Sequence, residues 1–273
     1  MPIHPTAIID PSARIGADVT IGPYCIIGAD VEIGAGCWLQ HHVTVLGPTK
    51  MGKNNRFFAY CSIGQQAQDL KYHGEPTGLE IGDNNTFREF CSVHRATSPG
   101  DKTLIGSDNN CLAYSHIAHD CVVGNHVIFS NGVTMAGHVT VEDYAILSGL
   151  TAVHQFCRIG TRSFTGGCSK IVHSVPPYCM VDGNPSRARG LNVVGLKRAG
   201  FSRDQIRALR EAFNKIYRSG LNNAKAVAEL RRETLTEEAA HFVDFVASVE
   251  RGIVPGGRIT KETGPTLTAE EED

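Results

Sequence analysis

Residues 113–127 read AYSHIAHDCVVGNHV. Three histidines, His116, His119 and His126, fall within eleven residues, and Asp120 follows the second. His138 lies 19 residues beyond His119, and His154 lies 16 beyond His138. Imidazole titrates nearest neutrality of all side chains, so it can take a proton from a hydroxyl at pH 7. A carboxylate or carbonyl at the other ring nitrogen would fix the tautomer and stabilise the imidazolium. The same residue types could also ligate a metal or simply decorate a surface. No GxSxG motif is present, so direct transfer between two bound substrates is favoured over a covalent intermediate.

Which way these side chains point depends on the phase of the chain around them. From Ile3, stepping by six meets mostly apolar residues: Ile9, Ile15, Ile21, Ile27, Ile33, Leu39, Val45 and, with breaks, onward to Ile171. Of 29 such slots, 25 are apolar, against about 12 expected from a 41% hydrophobic composition. Glycine often follows, as at Gly16, Gly22, Gly28 and Gly34, which suits corners needing positive φ or close backbone approach. Six residues is the period of neither a helix nor a hairpin sheet. It is that of a parallel β-helix, with one short strand and one turn per hexad and three hexads per triangular coil. About nine coils at ~4.8 Å each give a rod of ~45 Å.

Asp69 and Glu75 interrupt the apolar slots within residues 69–80, and Pro99 does so within 95–104. A charge cannot enter the prism cheaply, so both stretches are expected to be loops thrown out from the coil. Cys25, Cys37, Cys61, Cys91, Cys121 and Cys157 share one small slot and Cys111 an apolar one, with no CxxC pair. They read as small buried hydrophobes in a reducing compartment. After Ile171 the hexads decay. Ser202 with Gln205 makes a capping box, followed by a stripe of Ile206, Leu209, Phe213, Ile216 and Tyr217. Helices are also expected over 223–233 and 237–251, the latter with Thr236 as N-cap. The expected organisation is a mainly β domain over residues 1–190, a C-terminal α-helical domain over 191–254, and a disordered tail over 255–273.

Composition narrows the partners. The 273-residue chain carries a net charge of −2, yet residues 156–218 hold 12 Lys and Arg against 3 Asp and Glu. That band, including Arg158, Arg162, Lys197, Arg198, Arg203, Arg207 and Arg210, suits an anionic partner. Few aromatics and no recognised motif argue against nucleic acid. No apolar run reaches the ~20 residues of a membrane span, and MPIHPTAII lacks a secretory signal, so a cytoplasmic protein is expected.

In the hexad frame Ile117 and Val123 point inward and Cys121 takes the small slot. His116, His119, Asp120 and His126 then take outward or corner slots, where burial is not expected. One coil is 18 residues, so His119, His138 and His154 line one edge. Consecutive strand residues face opposite ways, so Asp120 can help His119 only from a corner.

The hexads, the loop QDLKYHGEPT and the stretches SHIAHDCVVGNHV, MAGHVTV, GLTAVHQFCRIG and NVVGLKRAGFS together resemble the acyl-carrier-protein–UDP-N-acetylglucosamine O-acyltransferases. The resemblance runs from residue 1 to about 252. This family opens lipid A synthesis, the lipid anchor of lipopolysaccharide. The resemblance implies a left-handed parallel β-helix and a homotrimer with active sites between subunits. His119 matches the general base, Asp120 its support, and the Gly137 N–H the oxyanion donor. Asp69, Lys71, His116 and His138 match positions holding the sugar or the phosphopantetheine arm. His154, Gln155, Asn192 and Arg198 match positions around the nucleotide and the far end of the groove. Gly167 matches the acyl-length determinant, and glycine there favours a chain near fourteen carbons. Val194 and Pro185 depart from the family pattern, where a glutamate and a histidine are familiar. The basic band would receive acidic acyl carrier protein. No metal and no cofactor is implied beyond the phosphopantetheine of the carrier.

Two other activities use similar parts. A zinc lyase of the γ-carbonic-anhydrase type needs three histidines converging on one metal across a subunit boundary. N-acyl transfer to a 3-amino sugar nucleotide would use the same base.

Overall fold

The computed structural model describes residues 3–257. Each hexad forms a strand of two to four residues, and successive hexads turn onto three different sheets. The sheets hold nine, eight and ten strands, and every pairing within the coil is parallel. His116–Ile117 belongs to the nine-stranded sheet, Val122–Val123 to the eight-stranded sheet and Ile128–Phe129 to the ten-stranded sheet. The inward slots are buried, among them Ile27, Val45, Phe57, Phe87, Ile117 and Phe129. Thr165, in an inward slot, satisfies its hydroxyl on the Ser148 N–H at 3.0 Å and Thr151 Oγ1 at 3.1 Å.

The corners differ from the sequence expectation. Up to Cys168, positive φ in non-glycine residues belongs to those whose numbers are multiples of six: Asp18, Tyr24, Asp120, His138 and Phe156 are examples, at φ of 56–63°. Gly22 and its equivalents answer the other need, close approach. A Cβ on Gly22 would lie 1.4 Å from the Gln40 carbonyl oxygen of the next coil. Asp and Asn tolerate the left-handed region. Tyr and Phe are held there by stacking on the next coil, as Tyr60 does on Phe90 and Phe90 on Tyr114.

Ile63 pairs with Val93, and Val93 with Ile117, so two coils span 30 and 24 residues rather than 18. The inserts fall between Gln65 and Gly78 and between His94 and Lys102, ending a few residues before the expected loop ends. Each leaves the nine-stranded sheet and returns on the eight-stranded one, so both emerge at the same corner of the prism.

The coil ends in a hairpin that the fading hexads concealed. Cys179–Asp182 extends the ten-stranded sheet, and Arg187–Leu191 pairs back antiparallel. The expected boundary at residues 190 and 191 falls inside this last strand. Among the described residues four helices follow: α1 (Val193–Arg198), α2 (Arg203–Arg218), α3 (Asn223–Leu230) and α4 (Glu237–Ser248). The Ser202 and Gln205 capping box is formed in both directions, and Thr236 caps α4. Helices α3 and α4 stop three residues short of the expected ends. Pro255–Gly257, expected as disordered tail, instead runs beside the last strand, with Ala188 bonded to Pro255 and Gly257 at 2.9 Å. Residues 258–273 lie outside the described residues.

Candidate active site

Asp120 occupies a corner slot at φ 58°, and there the backbone turns its side chain back towards its neighbour. His119 Nδ1 lies 2.8 Å from Asp120 Oδ2, so the pair sits on the corner that a direct contact requires. Neither side chain is exposed as an outward slot suggested: His119 is 12% accessible and Asp120 10%. For Asp120 the second insert supplies cover. Thr97, in the second insert, donates its hydroxyl to Asp120 Oδ2 at 2.8 Å and its N–H to Oδ1 at 3.2 Å. The Asp120 N–H in turn donates to Thr103 Oγ1 at 2.9 Å. Burial acts to raise the Asp120 pKa, but the bonds from His119 and Thr97 and the nearby His138 outweigh it. The carboxyl is held below its usual range and stays ionised.

With Nδ1 committed to the carboxylate, Nε2 of His119 is the free ring nitrogen. The ring lies over Gly137, where a Cβ would come within 2.3 Å of its Cε1. Only glycine fits. Among the described residues no group accepts the Gly137 N–H. His138 packs edge-on to His119 with ring centroids 5.3 Å apart, and its Nε2 is 3.7 Å from Asp120 Oδ2. Phe156, from the next coil, stacks on His138 at 4.7 Å. Among the described residues His119, Asp120 and His138 are the group whose ligand atoms, all within 4.8 Å of one another, could hold a metal. Asp120 already accepts from His119 and twice from Thr97, which leaves it a poor ligand and a good orienting group.

Two histidines stand behind this pair. His116 Nδ1 meets Ser92 Oγ at 2.8 Å. His94 packs edge-on to His116 and is buried; burial, then the neighbouring His116 and His119, lowers its pKa to about 4. Burial also lowers His116. The sequence reading passed over His94, Thr97 and Thr103. Thr97 and His94 lie in or beside an insert, where the hexad phase says nothing about direction.

The remaining expected site residues divide by face. Asp69 and Lys71 are in the first insert, and His154 and Gln155 turn the corner between Ala152–Val153 and Arg158–Ile159, so all four share the His119 edge. Among the described residues no hydrogen bond links them to His119. Asp69 Oδ1 accepts the Lys71 N–H, and His154 Nδ1 meets the Gln155 carbonyl. His126 sits on a different corner, stacked on Tyr144 at 4.6 Å and 3.9 Å from Asp108. Gly167 is on the third corner, open to solvent, with a Cβ meeting only the Gly149 carbonyl oxygen at 3.6 Å. Asn192 and Arg198 line a groove of about 360 Å³ between Ile146, Phe164 and Met180 of the ten-stranded sheet and the start of α1. That sheet is the face opposite the His119 corner.

Comparison with known proteins gives this geometry a family. A model described as Udp N-acetylglucosamine O-acyltransferase, Domain 2, matches residues 175–254, and one for bacterial transferase hexapeptides matches residues 3–35. An acyl-[acyl-carrier-protein]–UDP-N-acetylglucosamine O-acyltransferase of Pseudomonas aeruginosa PAO1 is 51% identical over 92% of this chain and 98% of its own length. The chain belongs to this O-acyltransferase family. A relative of the same name from Stutzerimonas stutzeri is 47% identical over the same shares. The solved LpxA of Acinetobacter baumannii superposes with a TM-score of 0.91 at 50% identity, covering 93% of this chain and all of that one. The Arabidopsis UDP-N-acetylglucosamine acyltransferase gives 0.84 at 38% identity, over 92% and 99%. The O-acyltransferase fold is thus the left-handed parallel β-helix, against the usual right-handed crossover.

Proposed function

We propose that this acyltransferase moves a 3-hydroxyacyl group from acyl carrier protein to the 3-hydroxyl of UDP-N-acetylglucosamine, the first step of lipid A synthesis. The family membership supports the substrates. The mechanism rests on one observation, the His119 ring fixed by Asp120 and seated over Gly137. Nε2 of His119 takes the proton of the sugar 3-hydroxyl as its oxygen attacks the thioester carbonyl. The Gly137 N–H receives the developing oxyanion. The carbon–sulfur bond then breaks, and the imidazolium returns the proton to the departing thiolate. Asp120 stays ionised and steadies the imidazolium. His138 and His116 line the approach. No metal and no cofactor takes part beyond the carrier's phosphopantetheine.

The working unit in this reading is a homotrimer. Asn192 and Arg198 lie across the prism from His119, so one groove can hold both sets only between two copies. Asp69, Lys71, His154 and Gln155 reach the sugar, the nucleotide or the pantetheine arm along the His119 edge. Gly167, with open space before it, leaves room for a chain near fourteen carbons. Lys197, Arg198, Arg203, Arg207 and Arg210 are exposed and suit the acidic carrier. Among the described residues no helix is long and apolar enough to cross a membrane. We place the enzyme in the cytoplasm, with its carrier.

The test is purified protein with UDP-N-acetylglucosamine and 3-hydroxyacyl carrier proteins of graded length, read by mass spectrometry beside His119→Ala. A monoacylated nucleotide sugar is expected, falling roughly 10²–10⁴-fold in the variant. A preference for ten carbons would sink the chain-length reading. No product with any chain would turn attention to the 3-amino sugar acceptor.

A further inference from the structure

Arg158, expected among the residues facing an acidic partner, is spent inside the molecule. Its Nη2 donates to Glu142 Oε1 at 2.9 Å, and its Nη1 donates to Ser248 Oγ at 2.9 Å. Its guanidinium lies 4.6 Å from the centre of the Phe245 ring. Glu142 Oε2 accepts from the Thr161 N–H at 2.8 Å and the Thr161 hydroxyl at 2.9 Å, and meets His241 Nε2 at 3.3 Å. His241, Phe245 and Ser248 recur at helical spacing on one face of α4. Glu142 at a corner of the coil and Arg158 on the strand of the next coil therefore hold α4.

The contacts continue towards the groove. His241 Nδ1 meets the Tyr178 hydroxyl at 3.1 Å. Nε2 faces the Glu142 carboxylate and Nδ1 faces the Tyr178 hydroxyl, so the ring bridges the two. Tyr178 is itself clamped, its N–H to the Thr161 carbonyl and its carbonyl to the Asn192 N–H, both at 2.7 Å. The Asn192 side chain donates to the Arg162 carbonyl at 3.0 Å and caps α1 through the Gly195 N–H at 3.1 Å. Glu142, His241, Tyr178 and Asn192 thus form one continuous path from the coil, through α4, to the start of α1.

We propose that Glu142 is a positioning residue: acting through His241 and Tyr178, it locks α4 to the coil and sets Asn192 and Arg198 for the nucleotide. This rests on the reading of that groove as the nucleotide end of the site. Glu142 touches no substrate, so its loss should weaken nucleotide binding and leave the acyl-transfer step alone.

The experiment compares Glu142→Gln, His241→Ala and His241→Gln with the wild type. Calorimetry with UDP alone should give a Kd raised about tenfold in Glu142→Gln and His241→Ala, a change one charged hydrogen bond can supply. KM for the nucleotide sugar should rise in parallel, with kcat and KM for the acyl carrier protein unchanged. His241→Gln keeps a donor for Glu142 and should retain most of the affinity. Hydrogen exchange should quicken over residues 191–198 and not at Ile117. Unchanged UDP affinity in both Glu142→Gln and His241→Ala would overturn the proposal, as would a fall in kcat at constant affinity. His241→Ala decides the matter if Glu142→Gln does not fold. A wild type that binds no UDP would remove the nucleotide reading, and the proposal with it, while quickened exchange over 191–198 would still record the clasp as structural.

Discussion

Thr97 is a single residue on an insert, yet it supplies two of the bonds that keep Asp120 aimed at His119. Thr97→Val should therefore lower kcat by roughly tenfold, the worth of one hydrogen bond to a charged group, with KM for either substrate unchanged. Steady-state kinetics checks this, and Thr97→Ser should restore most of the rate. His94 makes a prediction about pH. Its folded pKa is lowered to about 4 from 6.5, so the unfolded chain takes up a proton that the native chain refuses. The stability it contributes is whole above about pH 6.5 and is lost as pH falls through 4. Urea unfolding at pH 7 and pH 5 should show a loss that His94→Gln reduces, with His116 contributing in the same direction. The sequence made the histidine edge readable, because His119 and His138 differ by nearly one coil. Asp120's reach was not readable, since alternation along a strand fails at a corner with positive φ.

At the scale of elements, the coil carries a ladder of buried asparagines. Asn55 Oδ1 accepts from the Asn85 N–H, Asn85 Oδ1 from the Asn109 N–H, and Asn109 Oδ1 from the Val127 N–H at 2.7 Å. Each amide also donates to a glycine carbonyl: Gly82, Gly106 or Gly124. Asn85→Ala would leave the Asn109 N–H and the Gly106 carbonyl short of partners, each costing ~1–3 kcal/mol. A loss of about 3 kcal/mol is expected in denaturant unfolding, well beyond an exposed Asn54→Ala. The hexad period announced the strands because one residue in six must be apolar to fill the prism. It could not announce the hairpin of Cys179–Asp182 and Arg187–Leu191, where the period stops and the only cues are turn residues in GNPS. Short α1 escaped for a related reason: six residues give too little periodicity, and its cap, Asn192, resembles any loop asparagine.

The whole molecule decides where the site is complete. His119 and the Asn192 groove occupy opposite sides of one prism, a division that no spacing along the chain reveals. Mixing two inactive variants tests it. His119→Ala and Arg198→Ala should each lose activity alone, and co-refolded together they should regain a substantial part of it. A mixture as inactive as its parents would mean that each chain builds its own site. Chain order put the His119 set in the coil and the Asn192 set after it, but only the coil's triangular cross-section says which of them can meet.

The two inserts lengthen their coils by 12 and 6 residues, and apart from a register shift between Ile63 and Gln65, where the inserts leave, the strands beneath them stay in register. Ladder pairing depends only on where the chain leaves a corner and where it returns. Doubling the length of such an excursion adds roughly 0.6 kcal/mol of closure entropy. That corner works like a tool post on a lathe: the bed stays fixed while the cutting piece is exchanged. A lineage could therefore retune what the His119 edge grips by trading loop for loop, without ever renegotiating the fold.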